Sequence, residues 1–127
     1  MDNKAIINTP NAPAPIGPYS QAVSSNQTLY ISGQIALDPR TNELILDSIT
    51  VETTQVMKNI GAILESGGLS FEQVVKCSIF VKDLKDFSSI NEIYGTFFGK
   101  NPPARETVEV SRLPKDVNVE ISCIACR

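Results

Sequence analysis

The chain has no histidine among its 127 residues. That removes Ser-His-Asp and Cys-His nucleophiles, imidazole acid/base catalysis and His-ligated metals in one step. Proton transfer is left to Glu, Asp, Tyr, Lys, Cys and ordered water. Two charged residues stand out on that short list. Arg105 opens an alternating segment directly after Pro102-Pro103-Ala104. This rigid approach limits where the guanidinium can go, and a guanidinium so placed can hold a carboxylate or phosphate through paired hydrogen bonds. Glu120 lies between Val119 and Ile121, on the face of a strand opposite its apolar residues. Read alone, each is more simply an exposed charge or one member of a cross-strand ion pair. A third feature is the pair of segments 17 to 22 (GPYSQA) and 30 to 35 (YISGQI). A glycine inside a strand pattern marks a bulge or a close approach by a ligand, and the hydroxyl of Ser32 beside Gly33 could supply an orienting hydrogen bond. The plainer reading is an ordinary bulge with a solvated serine. No phosphate loop, zinc spacing, nucleotide fingerprint or paired-aspartate motif is present.

Composition bounds what these residues can belong to. With 42% hydrophobic and 20% charged residues, residues 1 to 127 suit a single domain burying roughly 65 to 70% of its unfolded surface. Aromatic residues make up 6% and Trp is absent, so the core is expected to be Ile, Val and Leu, a mixture that favours sheet packing. A net charge of -3 lacks the electrostatic footprint of a dedicated nucleic-acid binder. Three cysteines do not make a disulfide framework, and the N-terminus does not resemble a signal peptide, so a cytoplasmic protein is expected. Cys123 and Cys126 are three apart in an alternating segment and should point to opposite faces, which favours buried thiols over a metal or redox pair. No apolar run reaches the roughly 18 residues of a membrane span.

The elements that must position these groups can be read from periodicity. Residues 4 to 7 read as a short strand, followed by an extended loop holding Pro10, Pro13, Pro15 and Pro18. Strand runs from Ser20 and from Thr28, separated by Asn26-Gln27, suggest a hairpin. Residues 38 to 42 form a turn cluster and 44 to 46 a short strand. Ile49, Val56, Ile60 and Ile63 recur at helical spacing over 48 to 66, with Gly67-Gly68 as the stop. Ser70 and Gln73 have capping-box spacing. Residues 74 to 81 alternate, with Val75, Cys77, Ile79 and Val81 as the apolar face. A second helix from Asp86 carries Phe87, Ile90, Tyr94 and Phe97 on one stripe, Asn91 beside it, and Gly99 as its end. Residues 105 to 111 alternate, 113 to 116 turn, and 117 to 125 put Val117, Val119, Ile121 and Cys123 on one face. This order predicts an α+β two-layer domain, one mixed sheet with two helices on one face. The other face carries apolar residues without a cover, and such a face usually meets another copy of the chain.

Six collinear segments, 17 to 22 (GPYSQA), 30 to 35 (YISGQI), 78 to 84 (SIFVKDL), 90 to 98 (INEIYGTFF), 102 to 105 (PPAR) and 108 to 121 (VEVSRLPKDVNVEI), closely resemble the Rid family. These are the reactive intermediate deaminases formerly called YjgF proteins, and the RidA subgroup is the best match. The resemblance runs from about residue 8 to the C-terminus. It implies a chorismate-mutase-like protomer and a homotrimer whose sheets form a central barrel, with a ligand site in each of three clefts between subunits. It also implies hydrolysis of 2-imino acids such as 2-iminobutanoate and 2-iminopropanoate, the enamine/imine products of pyridoxal-phosphate-dependent dehydratases, to 2-keto acids and ammonia. By motif, Arg105 would bind the substrate carboxylate and Glu120 would position or activate water. Tyr19, Ser32, Gly33 and Asn91 match pocket-lining positions. An imine is already electrophilic at C2, so neither a metal nor another cofactor is required.

Two positions depart from the pattern: Glu106 and Thr107 stand where close relatives often have a small residue and a cysteine. Thr107 could still serve through its backbone N–H. Strand alternation should point Glu106 away from Arg105, though a bulge would bring the two together. Two rival readings are an endoribonuclease or translation inhibitor, which the acidic, histidine-free composition disfavours, and a non-catalytic trimer that binds small carboxylates or proteins.

Overall fold

The computed structural model describes residues 3–127. The chain order is β1 (Ala5–Ile7), β2 (Ala22–Ser25), β3 (Thr28–Gln34), α1 (Ile49–Ser66), β4 (Val74–Val81), α2 (Phe87–Gly95), β5 (Ala104–Glu109) and β6 (Val119–Cys126). The six strands form one mixed sheet in the order β1-β2-β3-β6-β4-β5, antiparallel throughout except for the parallel pair β4 and β5. Because β6 runs antiparallel to both β3 and β4, those two are parallel to each other. The connections β3-α1-β4 and β4-α2-β5 are therefore crossovers, and both step the same way across the sheet. Crossovers of one hand moving in one direction place their helices on the same face. That is why α1 and α2 share a layer and, among the described residues, no helix covers the opposite face of the sheet, as the order of elements predicts.

Local signals explain the elements. Ser48 caps α1, its Oγ accepting from the N–H of Val51 at 3.1 Å. Val56, Met57, Ile60, Ile63 and Leu64 of that helix are fully buried, each such side chain contributing about 1.5 to 3 kcal/mol. The helix stops at Gly67, and Gly68 has φ of +77°, a left-handed backbone that glycine adopts without strain. Asn26 and Gln27 both have positive φ, 50° and 67°, the two-residue turn that suits the twist of a hairpin. Cys123 is buried and Cys126 is partly exposed on the other face.

Three expectations need correction. Residues 44 to 46 form only an isolated bridge, Leu37 to Leu44. The Asp38 turn folds the chain back there, with Asp38 N–H donating to Glu43 O at 2.9 Å and Ile45 N–H to Ala36 O at 2.8 Å. In β4, Val74 is buried while Val75 is 48% exposed. A bulge between Val74 and Lys76 opposite β6 resets the alternation, so Val75 does not belong to the core face. The second helix ends at Gly95 rather than Gly99. Tighter turns follow, Phe97 N–H to Tyr94 O and Phe98 N–H to Gly95 O. They swing Phe97 and Phe98 onto Phe71, with ring centroids 5.3 and 5.5 Å apart.

Candidate functional site

The open face of the sheet carries the first group of candidate residues. Tyr19, Ser32, Gly33 and Glu120 line a cleft of about 350 Å³ together with Ile16, Ile35 and Pro114. Its floor is the irregular stretch of β3 between Ile31 and Gln34, where the register with β6 shifts. Gly33 leaves room there for the Glu120 side chain. A Cβ at this position would lie 2.8 Å from Cδ of Glu120, so the carboxyl of Glu120 occupies the space that any other side chain would fill. Ser32 is held by both its groups, with Oγ donating to Ser20 O at 2.6 Å and N–H donating to Gln21 O at 3.0 Å. Tyr19 is 49% exposed, and its ring stands over the loop with the hydroxyl accepting from Ile16 N–H at 3.4 Å.

Gln21, which motif reading left without a role, anchors this wall of the cleft. Its Oε1 accepts from Thr9 N–H at 2.7 Å, and its Nε2 lies 3.0, 3.2 and 2.9 Å from the carbonyls of Thr9, Ala12 and Pro13. A proline-rich loop has few N–H groups of its own to bond with, so one buried amide does the tethering. Gln21→Ala is expected to destabilise the protein by about 2 to 3 kcal/mol, because it leaves buried backbone groups unpaired. Urea denaturation measures the loss, and hydrogen exchange should show residues 9 to 18 opening first.

Burial raises the pKa of the Glu120 carboxyl. A carboxyl whose pKa is higher in the folded than in the unfolded chain contributes stability that is complete below its unfolded value, about 4.3, and is lost as pH rises through the folded value. Glu120→Gln is therefore expected to be at least as stable as wild type at pH 7. The gap should close below about pH 4, as thermal melts at the two pH values would show.

The second group lies on the other face of the sheet, under α2. Arg105 of β5 donates from Nη1 to Asn91 Oδ1 at 2.6 Å. Its guanidinium carbon is 5.5 Å from the Phe87 ring centroid and 5.1 Å from that of Tyr94, a cation–π arrangement that fixes the plane of the fork. Thr107, two residues along the same face, has a buried Oγ1 without a hydrogen-bond partner. Burial is also the main cause of a raised pKa at Tyr94, keeping it a neutral wall beside the guanidinium. Glu106 points away, as alternation predicts. It pairs with Lys76 Nζ at 2.9 Å and accepts from the Ser78 hydroxyl, two contacts that hold its pKa below the ordinary carboxylate value. No bulge interrupts the β4–β5 register through this stretch, so Arg105 keeps its fork free of Glu106.

The seven candidate residues thus fall into two constellations. Arg105 sits opposite Cys77, whose side chain is in the core, whereas Glu120 sits opposite Phe80 on the uncovered face. Within one chain the sheet separates them. Sequence reading missed Gln21, and also Glu52, a fully buried carboxylate that looks in the sequence like an ordinary first-turn acid on a helix. Phe87 and Tyr94 were legible only as a core stripe.

A family model described as endoribonuclease L-PSP, the YjgF/Rid group, matches residues 9–127. The chain belongs to the Rid family. A RutC family protein of Pyrococcus horikoshii is 52% identical over 122 residues, covering 96% of this chain and 97% of that protein. The 2-iminobutanoate/2-iminopropanoate deaminase of Mus musculus is 45% identical, covering 96% and 90%. The crystal structure of E. coli TdcF with bound serine superposes with a TM-score of 0.93 at 41% identity, covering 97% of this chain and 98% of that one. Rid proteins with solved structures share the chorismate-mutase-like fold, and this α+β chain has it. Among the described residues no helix is long and apolar enough to cross a membrane.

Proposed function

We propose that this Rid protein is a 2-iminobutanoate/2-iminopropanoate deaminase that works in the cytoplasm as a homotrimer and needs no metal. The observation that carries the reading is the division of the candidate residues. The Arg105 fork lies on one face of the sheet and the Glu120 carboxyl, its pKa raised by burial, lies over Gly33 on the other, so a site that uses both takes one constellation from each of two chains. The uncovered face favours such assembly, since Ile6, Tyr30 and Val108 are 56%, 49% and 41% exposed there. Deaminase-named relatives, and the serine bound by TdcF, point to small amino-acid-like ligands.

In this mechanism Arg105 binds the carboxylate of the 2-imino acid, with Asn91 and the aromatic pair holding the fork and the Thr107 N–H adding a donor. Glu120 accepts a proton from water as its oxygen attacks C2 of the protonated imine, giving a tetrahedral aminoalcohol. Return of that proton to nitrogen makes ammonia the leaving group, and the C–N bond breaks as the hydroxyl gives its proton to the Glu120 carboxylate and the C2 carbonyl forms. Ser32 and Tyr19 shape the cleft around the attacking water and the substrate side chain.

The test couples a pyridoxal-phosphate-dependent dehydratase to this protein and follows keto-acid formation from 2-iminobutanoate and 2-iminopropanoate, with light scattering to give the oligomeric state. Faster keto-acid release by a trimer supports the reading. A monomer at micromolar concentration would overturn the shared site. Keto-acid binding without acceleration would favour the non-catalytic carboxylate binder instead.

A further inference from the structure

The carboxylate of Glu52 belongs to neither constellation. It lies in the first turn of α1, fully buried, and no cation pairs with it among the described residues. Its Oε2 accepts from Asn118 N–H at 2.8 Å and from Val119 N–H at 3.2 Å, and its Oε1 accepts from Asn118 Nδ2 at 2.7 Å. A buried carboxylate that relies on N–H donors alone is costly to desolvate, and it is held only where the donors are fixed in place. These donors belong to the two residues immediately before Glu120. They close the turn from Leu113, in which Lys115 and Asp116 have φ of 55° and 57°, and Pro114 of that turn lines the Glu120 cleft. At the surface the same turn is tied by Lys82, through N–H to Asn118 O at 3.0 Å and Nζ to Asp116 at 3.1 Å.

We propose that Glu52 is a positioning residue: from the helix layer it fixes the start of β6, and so sets where the Glu120 carboxyl and the Pro114 wall stand over Gly33. Its catalytic consequence rests on the reading of Glu120 as the group that handles water. The Glu120 carboxyl stands over Gly33, in the space an added Cβ would take. A misplacement of about 1 Å at a reacting group can cost on the order of 100-fold in rate. Among the described residues Glu120 shares its cleft with one other titratable side chain, Tyr19. The charged groups of the adjoining turn, Arg112, Lys115 and Asp116, are exposed.

The experiment compares wild type, Glu52→Gln and Asn118→Ala, each checked for fold and oligomeric state. Glu52→Gln removes the charge and one acceptor. Asn118→Ala keeps the charge and removes one donor. The Glu120 carboxyl is titrated directly by NMR on glutamate-labelled protein, and kcat and KM for 2-iminobutanoate are measured across pH. We expect kcat to fall about 10-fold in Glu52→Gln and about threefold in Asn118→Ala, with KM within about twofold because the Arg105 constellation is untouched. The Glu120 midpoint and the acid limb of kcat should move down together in both variants, as a loosened carboxyl gains water. Folded variants with wild-type kcat and midpoint would overturn the proposal. So would a midpoint that moves only in Glu52→Gln, which would report a lost charge and not a lost position. If wild type does not hydrolyse imines, the functional reading fails by itself, and the NMR midpoints of the two variants still decide the positioning role. If Glu52→Gln does not fold, Asn118→Ala decides it.

Discussion

Glu120→Gln is expected to lower imine turnover by about 100- to 10,000-fold while leaving the binding of 2-oxobutanoate within about twofold of wild type. The substitution keeps the shape that fits over Gly33, so the cleft should survive. Among the described residues it removes the only carboxyl that lines the cleft, and an amide cannot take a proton from attacking water at neutral pH. The carboxylate-binding fork on the other face of the sheet is unaffected, which is why binding and turnover should separate. In wild type the rate should fall on the acid side through the raised pKa of Glu120, and that limb should vanish from the residual activity of the variant. Coupled keto-acid assays across pH and calorimetry with the product test both halves of the expectation. Wild-type turnover by folded Glu120→Gln would remove Glu120 from the proton transfer and favour the non-catalytic reading. The same substitution is expected to leave the fold at least as stable as wild type at neutral pH, so a loss of activity could not be ascribed to unfolding.

Arg105 should behave differently. Arg105→Lys keeps a positive charge but loses the fork and its stacking between Phe87 and Tyr94. The expected cost is about 1.5 to 3 kcal/mol, or about 10- to 100-fold in affinity and rate together, and Arg105→Ala should cost more. The sharper measurement mixes the two inactive chains. If each site takes Arg105 from one protomer and Glu120 from its neighbour, Arg105→Ala and Glu120→Gln refolded together in equal amounts should regain about a quarter of wild-type activity, the fraction of interfaces that receive an intact half from each chain. Each variant refolded alone should stay inactive. Failure to complement in a mixed oligomer would place both residues of each working site in one chain, against the division seen in the fold.

Much of this arrangement was legible because it depends on short-range pattern. Ile49, Val56, Ile60 and Ile63 mark α1 by their spacing, and Val119, Ile121 and Cys123 mark the core face of β6, since helix and strand periods are local properties of the backbone. Parity also predicted that Glu106 turns away from Arg105 and that Cys123 and Cys126 part to opposite faces. Local pattern failed where a tertiary contact reset it. The bulge at Val74 and Lys76 exchanged the roles of two valines, the Phe71 cluster ended α2 four residues before Gly99, and the Asp38 turn reduced 44 to 46 to a single bridge.

The motif residues Tyr19, Ser32, Gly33, Asn91, Arg105, Thr107 and Glu120 could be named from the sequence, but their grouping could not. Whether two strands present their residues to the same side depends on register and crossover direction, and neither is encoded within one segment. Gln21 and Glu52 were invisible for a related reason. A polar side chain reads as exposed until the fold brings backbone donors and acceptors from distant residues to bury it. The sequence by itself determined the layers, the family and the chemical inventory of this protein. Only the tertiary structure decided that the fork and the carboxyl stand on opposite sides of one sheet, because long-range strand pairing is what sets the face each residue occupies.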